Sequence, residues 1–278
     1  MKIKSSTMDK VFVTCNTIFL VLFVTITLYP VLNTVALSFN DGVDAVRGGI
    51  HLWPRIFTLS NYKTVLHQQN ILTGAVVSVA RTVLGTIFAL VTNALLAYII
   101  SRKRFLFRSQ LSLFWVITMY VNGGMIPTLV LYRNMNLTNS FWVYVIPGMV
   151  SAFNVLVMRT FMEGLPSALE ESAMIDGASV PRIFFQIVVP IMKPSIVSVA
   201  ILQAMWIWND YLLPYLTLDL SKYKTISVAV QYLKGGYGSV DMGAMMACLV
   251  MAIIPIIIFY LICQKYIVKG VMAGAVKG

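Results

Sequence analysis

An all-α, polytopic membrane protein with six transmembrane helices is the fold class this sequence predicts, and three observations predict it. Of its 278 residues, 59% are hydrophobic and 11% are charged, where soluble domains carry about 25% charged residues. The apolar residues gather in runs long enough to cross a hydrocarbon core about 30 Å thick. The basic residues behind the net charge of +11 sit in the short loops between those runs. That placement excludes a nucleic-acid surface and leaves membrane lipid as the surroundings.

Residues 1–10 are polar and basic, with Lys2, Lys4 and Lys10, and read as a cytoplasmic N-terminal segment. Val11 to about Phe39 is apolar and uncharged, a first span with a kink at Pro30. It is far longer than the apolar region of a cleaved signal peptide. Residues 40–70 are mixed polar, with Ser60 placed to cap a helix. Ile71 to Ile100 is too long for one straight crossing. Its core is expected at 82–100, with Arg81 at the membrane interface in preference to a wet lumen. Gly74, Ala75, Ser78, Ala89, Asn93 and Ala97 suit close helix packing.

Arg102, Lys103, Arg104 and Arg108 then mark a cytoplasmic loop. The third span, about Leu111 to Tyr132, is interrupted at Asn122-Gly123-Gly124 and Pro127. Such a break lines a substrate path or is a packing kink, and the residues leave both open. Phe141 to Met162 is the expected fourth span, with Trp142 and Tyr144 as interface anchors and Pro147 and Asn154 inside it. Ser195 to Leu218 is the fifth, carrying Trp206-Ile207-Trp208-Asn209-Asp210-Tyr211-Leu212-Leu213-Pro214. Asp210, the one carboxylate near membrane depth, should face protein or water. Trp and Tyr here suit sugar stacking and interface anchoring equally. Gly243 to Cys263, kinked at Pro255, is the sixth span, so residues 11–263 form one transmembrane domain, and a tail of residues 264–278 follows.

Residues 163–194 interrupt this apolar chain. They hold four of the ten acidic residues: Glu163, Glu170, Glu171 and Asp176. Ser167 and Glu170 have the spacing of a capping box, so a helix is expected from Ala168. Gly177 should end it in the left-handed conformation. Ser179 can cap a second helix with Pro181 in its first turn, and Pro190 and Pro194 should break the pattern before the next span. The product is a helical elbow at one membrane face.

The elbow carries a specific resemblance. Glu171, Ser172, Ala173, Gly177, Ile187, Val189 and Pro190 fall on the spacing of the Glu-Ala-Ala loop of type I ABC importer permeases, and Asp176-Gly177-Ala178 also matches. Ser172 and Val189 depart from the commonest residues. Phe57-Thr58-Leu59-Ser60-Asn61-Tyr62, Tyr98 to Arg104, the Trp206–Pro214 segment and the terminal Gly274-Ala275-Val276-Lys277-Gly278 resemble segments of sugar permeases. Over essentially its whole length the chain resembles a MalG-type carbohydrate permease, closest to the LplC-like branch, with a MetI-like transmembrane fold. The resemblance implies a bacterial plasma-membrane protein that imports sugars, chiefly oligosaccharides. It implies a second related permease completing the pore, two ATPase subunits that bind ATP and Mg, and an extracellular sugar-binding protein. It also implies that residues 166–194 dock on an ATPase through Glu170, Glu171, Ala173, Asp176, Gly177, Ala178, Ile187 and Pro190. Glu171 would pair with a basic groove residue, Ala173 would allow close approach, and Gly274 and Lys277 of the tail would touch the ATPase.

Several expectations stand without the family. The side bearing both termini and the elbow carries thirteen Lys and Arg against seven on the other, so the termini are expected in the cytoplasm. His51 and His67 are sixteen residues apart in one loop, with no metal-ligand spacing. Cys15, Cys248 and Cys263 read as small buried hydrophobes. No nucleophile–base pair or phosphate-binding glycine loop is present, so a transport subunit without its own catalytic centre, cofactor or metal is expected. Asn122, Asn154, Trp208 and Asn209 are the candidates for the substrate path. An importer permease for a non-sugar solute and a stand-alone carrier are the alternatives.

Overall fold

The computed structural model describes residues 7–67, 69–218, 225–228 and 241–275, and side chains up to residue 265. Regular structure among them is helical, apart from a bridge between Asn40 and Phe57. Among the described residues, three helices are long and apolar enough to cross a membrane: Thr7–Ser38, Ile71–Ser101 and Met242–Lys265. Two bent helix pairs raise the number to five if each is one span. The chain divides into two compact units, residues 1–69 with 230–253, and 70–229 with 254–278.

In the first unit, α1 (Thr7–Ser38) is exposed from residue 7 to residue 30, Cys15 included. The expectation of a buried Cys15 is therefore replaced by an apolar helix face turned outward. The hydroxyls of Thr14, Thr17, Thr25 and Thr27 bond to carbonyls four residues back, which satisfies them inside lipid. Asp41 caps α2 (Gly42–Val46) through the N–H groups of Val43 and Asp44. α3 begins at Ser60 and ends at His67. Buried Asn61 on α3 donates to the carbonyls of Ser38 (2.8 Å) and Asn40 (2.7 Å). Phe39 packs on Phe57 and Tyr62, so residues 57–62 clasp the end of α1. Gly243, at the start of α12 (Met242–Ala275), lies so close that a Cβ there would sit 2.4 Å from Asn61 Oδ1.

The second unit is built on α4 (Gln69–Ser101). α5 (Arg108–Tyr120) and α6 (Met125–Asn134) follow at 117° to each other. The expected third span is thus a sharp reversal. Gly124 turns it at φ +86°, and Asn122 Oδ1 accepts the Gly124 N–H at 2.9 Å. The expected fourth span, Phe141 to Met162, is helical only in its second half. A 3-10 turn covers Phe141–Tyr144 and α7 covers Ala152–Glu163. Pro147 lacks the N–H a helix needs, and the irregular backbone between is bonded by its neighbours instead. Asn93 on α4 accepts from Ser151 N–H (2.9 Å) and donates to the Met149 carbonyl (3.2 Å). Thr92 also donates to Met149, and Gln203 donates to the Gly148 carbonyl. Non-helical backbone at membrane depth survives where protein satisfies it.

The elbow follows as α8 (Ala168–Ile175) and α9 (Val180–Ile191). Pro190 does not end α9. Phe184–Val188 widen into a π turn, which accommodates a residue that cannot bond the carbonyl four positions back. The break comes at Met192, where α10 (Lys193–Asn209) departs at 80° with Pro194 in its first turn. α10 stops at Asp210, and α11 (Leu212–Thr217) resumes beyond it.

Asn93→Leu keeps the volume roughly constant but orphans Ser151 N–H and leaves the Met149 carbonyl to Thr92 alone, at about 1–3 kcal/mol for the unpaired buried donor. The melting temperature of the detergent-solubilised protein should fall by several degrees. Val91→Ala, at an exposed position of the same helix, should leave it within about one degree.

Candidate functional site

The elbow helix α8 has two faces. Glu170 and Ala173, three apart, are buried at 6% and 8% exposure. Glu171, Met174 and Ile175, at the i, i+3, i+4 spacing of one helix face, are exposed, Ile175 at 86%. α8 ends as its sequence predicts. Gly177 lies at φ +76°, its N–H bonds the Met174 carbonyl at 3.1 Å, and Ala178 N–H bonds Ala173 O at 2.9 Å. Those two bonds are the Schellman closure. A Cβ at Gly177 would meet no atom within 4 Å, so the requirement for glycine is backbone conformation alone.

The start of α8 differs from expectation. Ser167 is helical and makes no side-chain cap. Glu170 does not reach back to it, because a stronger partner is at hand. Its carboxylate pairs with Arg102 and accepts from the Tyr98 hydroxyl at 3.3 Å. The Arg102 guanidinium lies over the Tyr98 ring, 4.5 Å from its centre. A buried carboxylate bonded to a cation gains more than a neutral capping bond. Ser179 occupies the N-cap position of α9, also without a side-chain bond. Ala173, Ile183, Phe184, Val188 and Met192 join one core with Ala94, Ala97, Tyr98, Met158 and Val199, with Ala178 and Ile187 packed against it. Glu170 and Ala173 thus serve the inner face, where close approach to an ATPase was expected of Ala173. Glu171, Asp176, Gly177 and Pro190 remain exposed.

A second feature lies where two helix breaks meet. A cleft of ≈ 260 Å³ is lined by Asn122, Gly124, Thr128 and Asp210, with Met125, Leu129, Leu212, Leu213 and Leu216. Behind it lies Arg81. Arg81, expected at the membrane interface, is enclosed by protein at 1% exposure. Its Nη2 donates to the carbonyls of Trp208 (3.2 Å) and Asp210 (2.6 Å), Nη1 is 3.9 Å from Asp210 Oδ2, and the guanidinium covers the Tyr144 ring at 5.0 Å. The carbonyls at the end of α10 lack helical partners and carry the negative end of the helix dipole. A buried cation there is compensated by both.

The four predicted path residues are not brought together. Asn122 lines the cleft. Asn154 is buried and donates to Gln203 Oε1 at 2.8 Å. Trp208 lines an apolar groove of ≈ 360 Å³ with Thr82, Thr86 and Pro255. Asn209 is exposed and donates to the Met205 carbonyl. Gly274 belongs to the last turn of α12, and Lys277 lies outside the described residues. Sequence reasoning missed Arg102 and Tyr98. A signal existed: Glu170 falls three residues from Ala173 on the inner face, and a buried carboxylate demands a cation.

Residues 4–273 match the model of the family described as binding-protein-dependent transport system inner membrane component. The polygalacturonan/rhamnogalacturonan transport system permease protein YtcP of Bacillus subtilis (strain 168) is 34% identical over 94% of this chain and 96% of its own. The arabinooligosaccharides transport system permease protein AraQ of Halalkalibacterium halodurans is 30% identical over 91% and 92%. Among solved structures, a chain of a bacterial ABC transporter that imports the acidic polysaccharide alginate superposes with a TM-score of 0.87. It has 26% identity and covers 95% of this chain and 99% of that one.

Glu170→Ala should free α8 from the end of α4. A hydrogen bond to a charged group is worth about 1.5–3 kcal/mol. Limited proteolysis within residues 164–179 should accelerate roughly tenfold or more relative to the unsubstituted protein, while Glu171→Ala should leave the rate unchanged.

Proposed function

Because this chain belongs to the binding-protein-dependent transport system inner membrane component family, we propose that it pairs with a second, related permease to form a sugar-importing pore driven through residues 166–194. Membership makes it a membrane-embedded transport subunit rather than an enzyme, working with a binding protein and an ATPase. ATP and Mg belong to the ATPase partners, two of them in this reading. Both chain ends face the cytoplasm with the elbow, so the basic tail around Gly274 and Lys277 lies beside those subunits. Sugars, chiefly oligosaccharides, are the cargo. The glycan substrates named for YtcP, for AraQ and for the alginate importer support that reading.

The observation that carries the mechanism is the division of α8. Its inner face is bonded and packed into the core of the second unit, while Glu171, Met174 and Ile175 stand outside. An ATPase groove with apolar walls and one basic residue would take that outer face. Closure of the ATPase dimer on ATP would then move α8, α9 and the ends of α4 and α10 as one body. ATP can drive the switch only by favouring one state of the pore over the other.

Tagging the chain in its native host should recover an ATPase, a second permease and a sugar-binding protein. Recovery of the chain alone, in a detergent that preserves other importers of this class, would overturn the reading. Gly177→Val places a β-branched residue at positive φ, which costs about 1–2 kcal/mol or more. Uptake should fall at least tenfold with membrane insertion intact. Normal ATP-driven uptake by this variant would count against the lever.

A further inference from the structure

Asp210 is a partly buried carboxylate that the coupling mechanism does not use. It stands at the break between α10 and α11, its side chain 22% exposed. The break between α5 and α6 opens into the same cleft, and Asn122 and Thr128 lie on that side. In transporters, paired helix interruptions facing one cleft point to the path of the solute. Asn122 Oδ1 is taken up by the Gly124 N–H, so Asn122 offers the cleft its amide donor. Asp210 Oδ1 accepts a long 3.5 Å bond from Leu213 N–H. A carboxylate has about four acceptor positions, so Asp210 retains capacity for further donors. It is the sole charged side chain among the described residues lining the cleft. Arg81 is too deeply buried to reach a solute and balances Asp210 from behind, through the ion pair and the two carbonyls that hold the break.

Resting on the sugar-import reading, we propose that this cleft is a sugar-contact subsite that reads uncharged, hydroxyl-bearing rings. Asp210 is its specificity-determining acceptor and Arg81 the positioning residue behind it. Sugar hydroxyls donate to Asp210 and accept from the Asn122 amide. A ring bearing its own carboxylate meets like charge with no cation in the lining, so it is rejected at this position.

The test uses the whole importer, isolated with its partner subunits and held in nanodiscs without binding protein. Binding of maltotriose, arabinotriose and trigalacturonate is read by saturation-transfer NMR, which detects weak association. A neutral trisaccharide should bind and trigalacturonate should bind about tenfold more weakly. Asp210→Asn should cut the affinity for the neutral sugar and abolish the discrimination, and Asn122→Ala should weaken neutral binding alone. Arg81→Met should weaken the neutral sugar by loosening the break that holds Asp210, while trigalacturonate stays rejected because the carboxylate remains, and Arg81→Lys should restore much of the neutral affinity. ATP hydrolysis stimulated by the sugar-loaded binding protein is measured on each preparation. If stimulation is intact but trigalacturonate binds as well as the neutral sugars, the proposal is wrong while the import reading stands. The proposal fails equally if nothing binds, or if Asp210→Asn changes nothing. If no sugar-loaded binding protein stimulates hydrolysis in the unsubstituted complex, the import reading itself has failed.

Discussion

Backbone N–H and C=O groups at membrane depth must find partners within the protein, because lipid offers none. Straight helices meet that demand by themselves. This chain departs from straight helices repeatedly, and at several departures a named side chain supplies what the helix no longer does. Asn93, Thr92 and Gln203 bond the stretch around Met149. Arg81 takes the carbonyls at the end of α10, and Asn122 takes the N–H of Gly124. In the elbow, Gly177 closes α8 with two backbone bonds. The irregular architecture therefore rests on a few polar residues in an otherwise apolar chain.

Three of those residues, Arg81, Thr92 and Asn93, lie on α4, and Tyr98 and Arg102 belong to it or to its immediate end. The rise per residue puts Arg81 and Arg102 about 31 Å apart, close to the thickness of the hydrocarbon core. One end of this helix holds the elbow through Glu170, and the other holds the break at Asp210 beside the cleft. α4 therefore links the two places, with a charged contact to Glu170 beside its C-terminal end and another to Asp210 along its length. Removing a buried ion from water costs several kcal/mol. The cost of burying Arg81 is offset by an acid, two carbonyls and an aromatic face together.

Adjacent acids on α8 have opposite roles for a geometric reason. Consecutive residues on a helix are turned by about 100°, so Glu170 points to the core when Glu171 points out. The inner acid joins the elbow to its own bundle. The outer acid, with Met174 and Ile175, forms the face left exposed. Small residues are used the same way: Ala173 lets α8 approach its own core.

Much of this could be read from residues alone. Long uncharged runs announced a helical membrane protein, since few other sequences tolerate so little charge. Gly177 announced the end of α8, because only a left-handed residue closes a helix that way, and the spacing from Glu171 to Pro190 marked the elbow. What pairs with what was not legible. Ser167 and Glu170 have the spacing of a cap, yet Arg102, 68 residues away in sequence, wins the carboxylate because a cation holds it more strongly than the Ser167 backbone N–H. The partners of Arg81 were hidden too, since nothing local shows that Trp208, Asp210 and Tyr144 converge on it. Phe141 to Met162 has the composition of a span. Only the positions of Asn93 and Gln203 on neighbouring helices allow half of it to remain unwound. Composition and local geometry determined that this chain enters a membrane and where it turns. Tertiary structure decided which polar groups meet, because those pairings depend on distance in space and not on spacing along the chain.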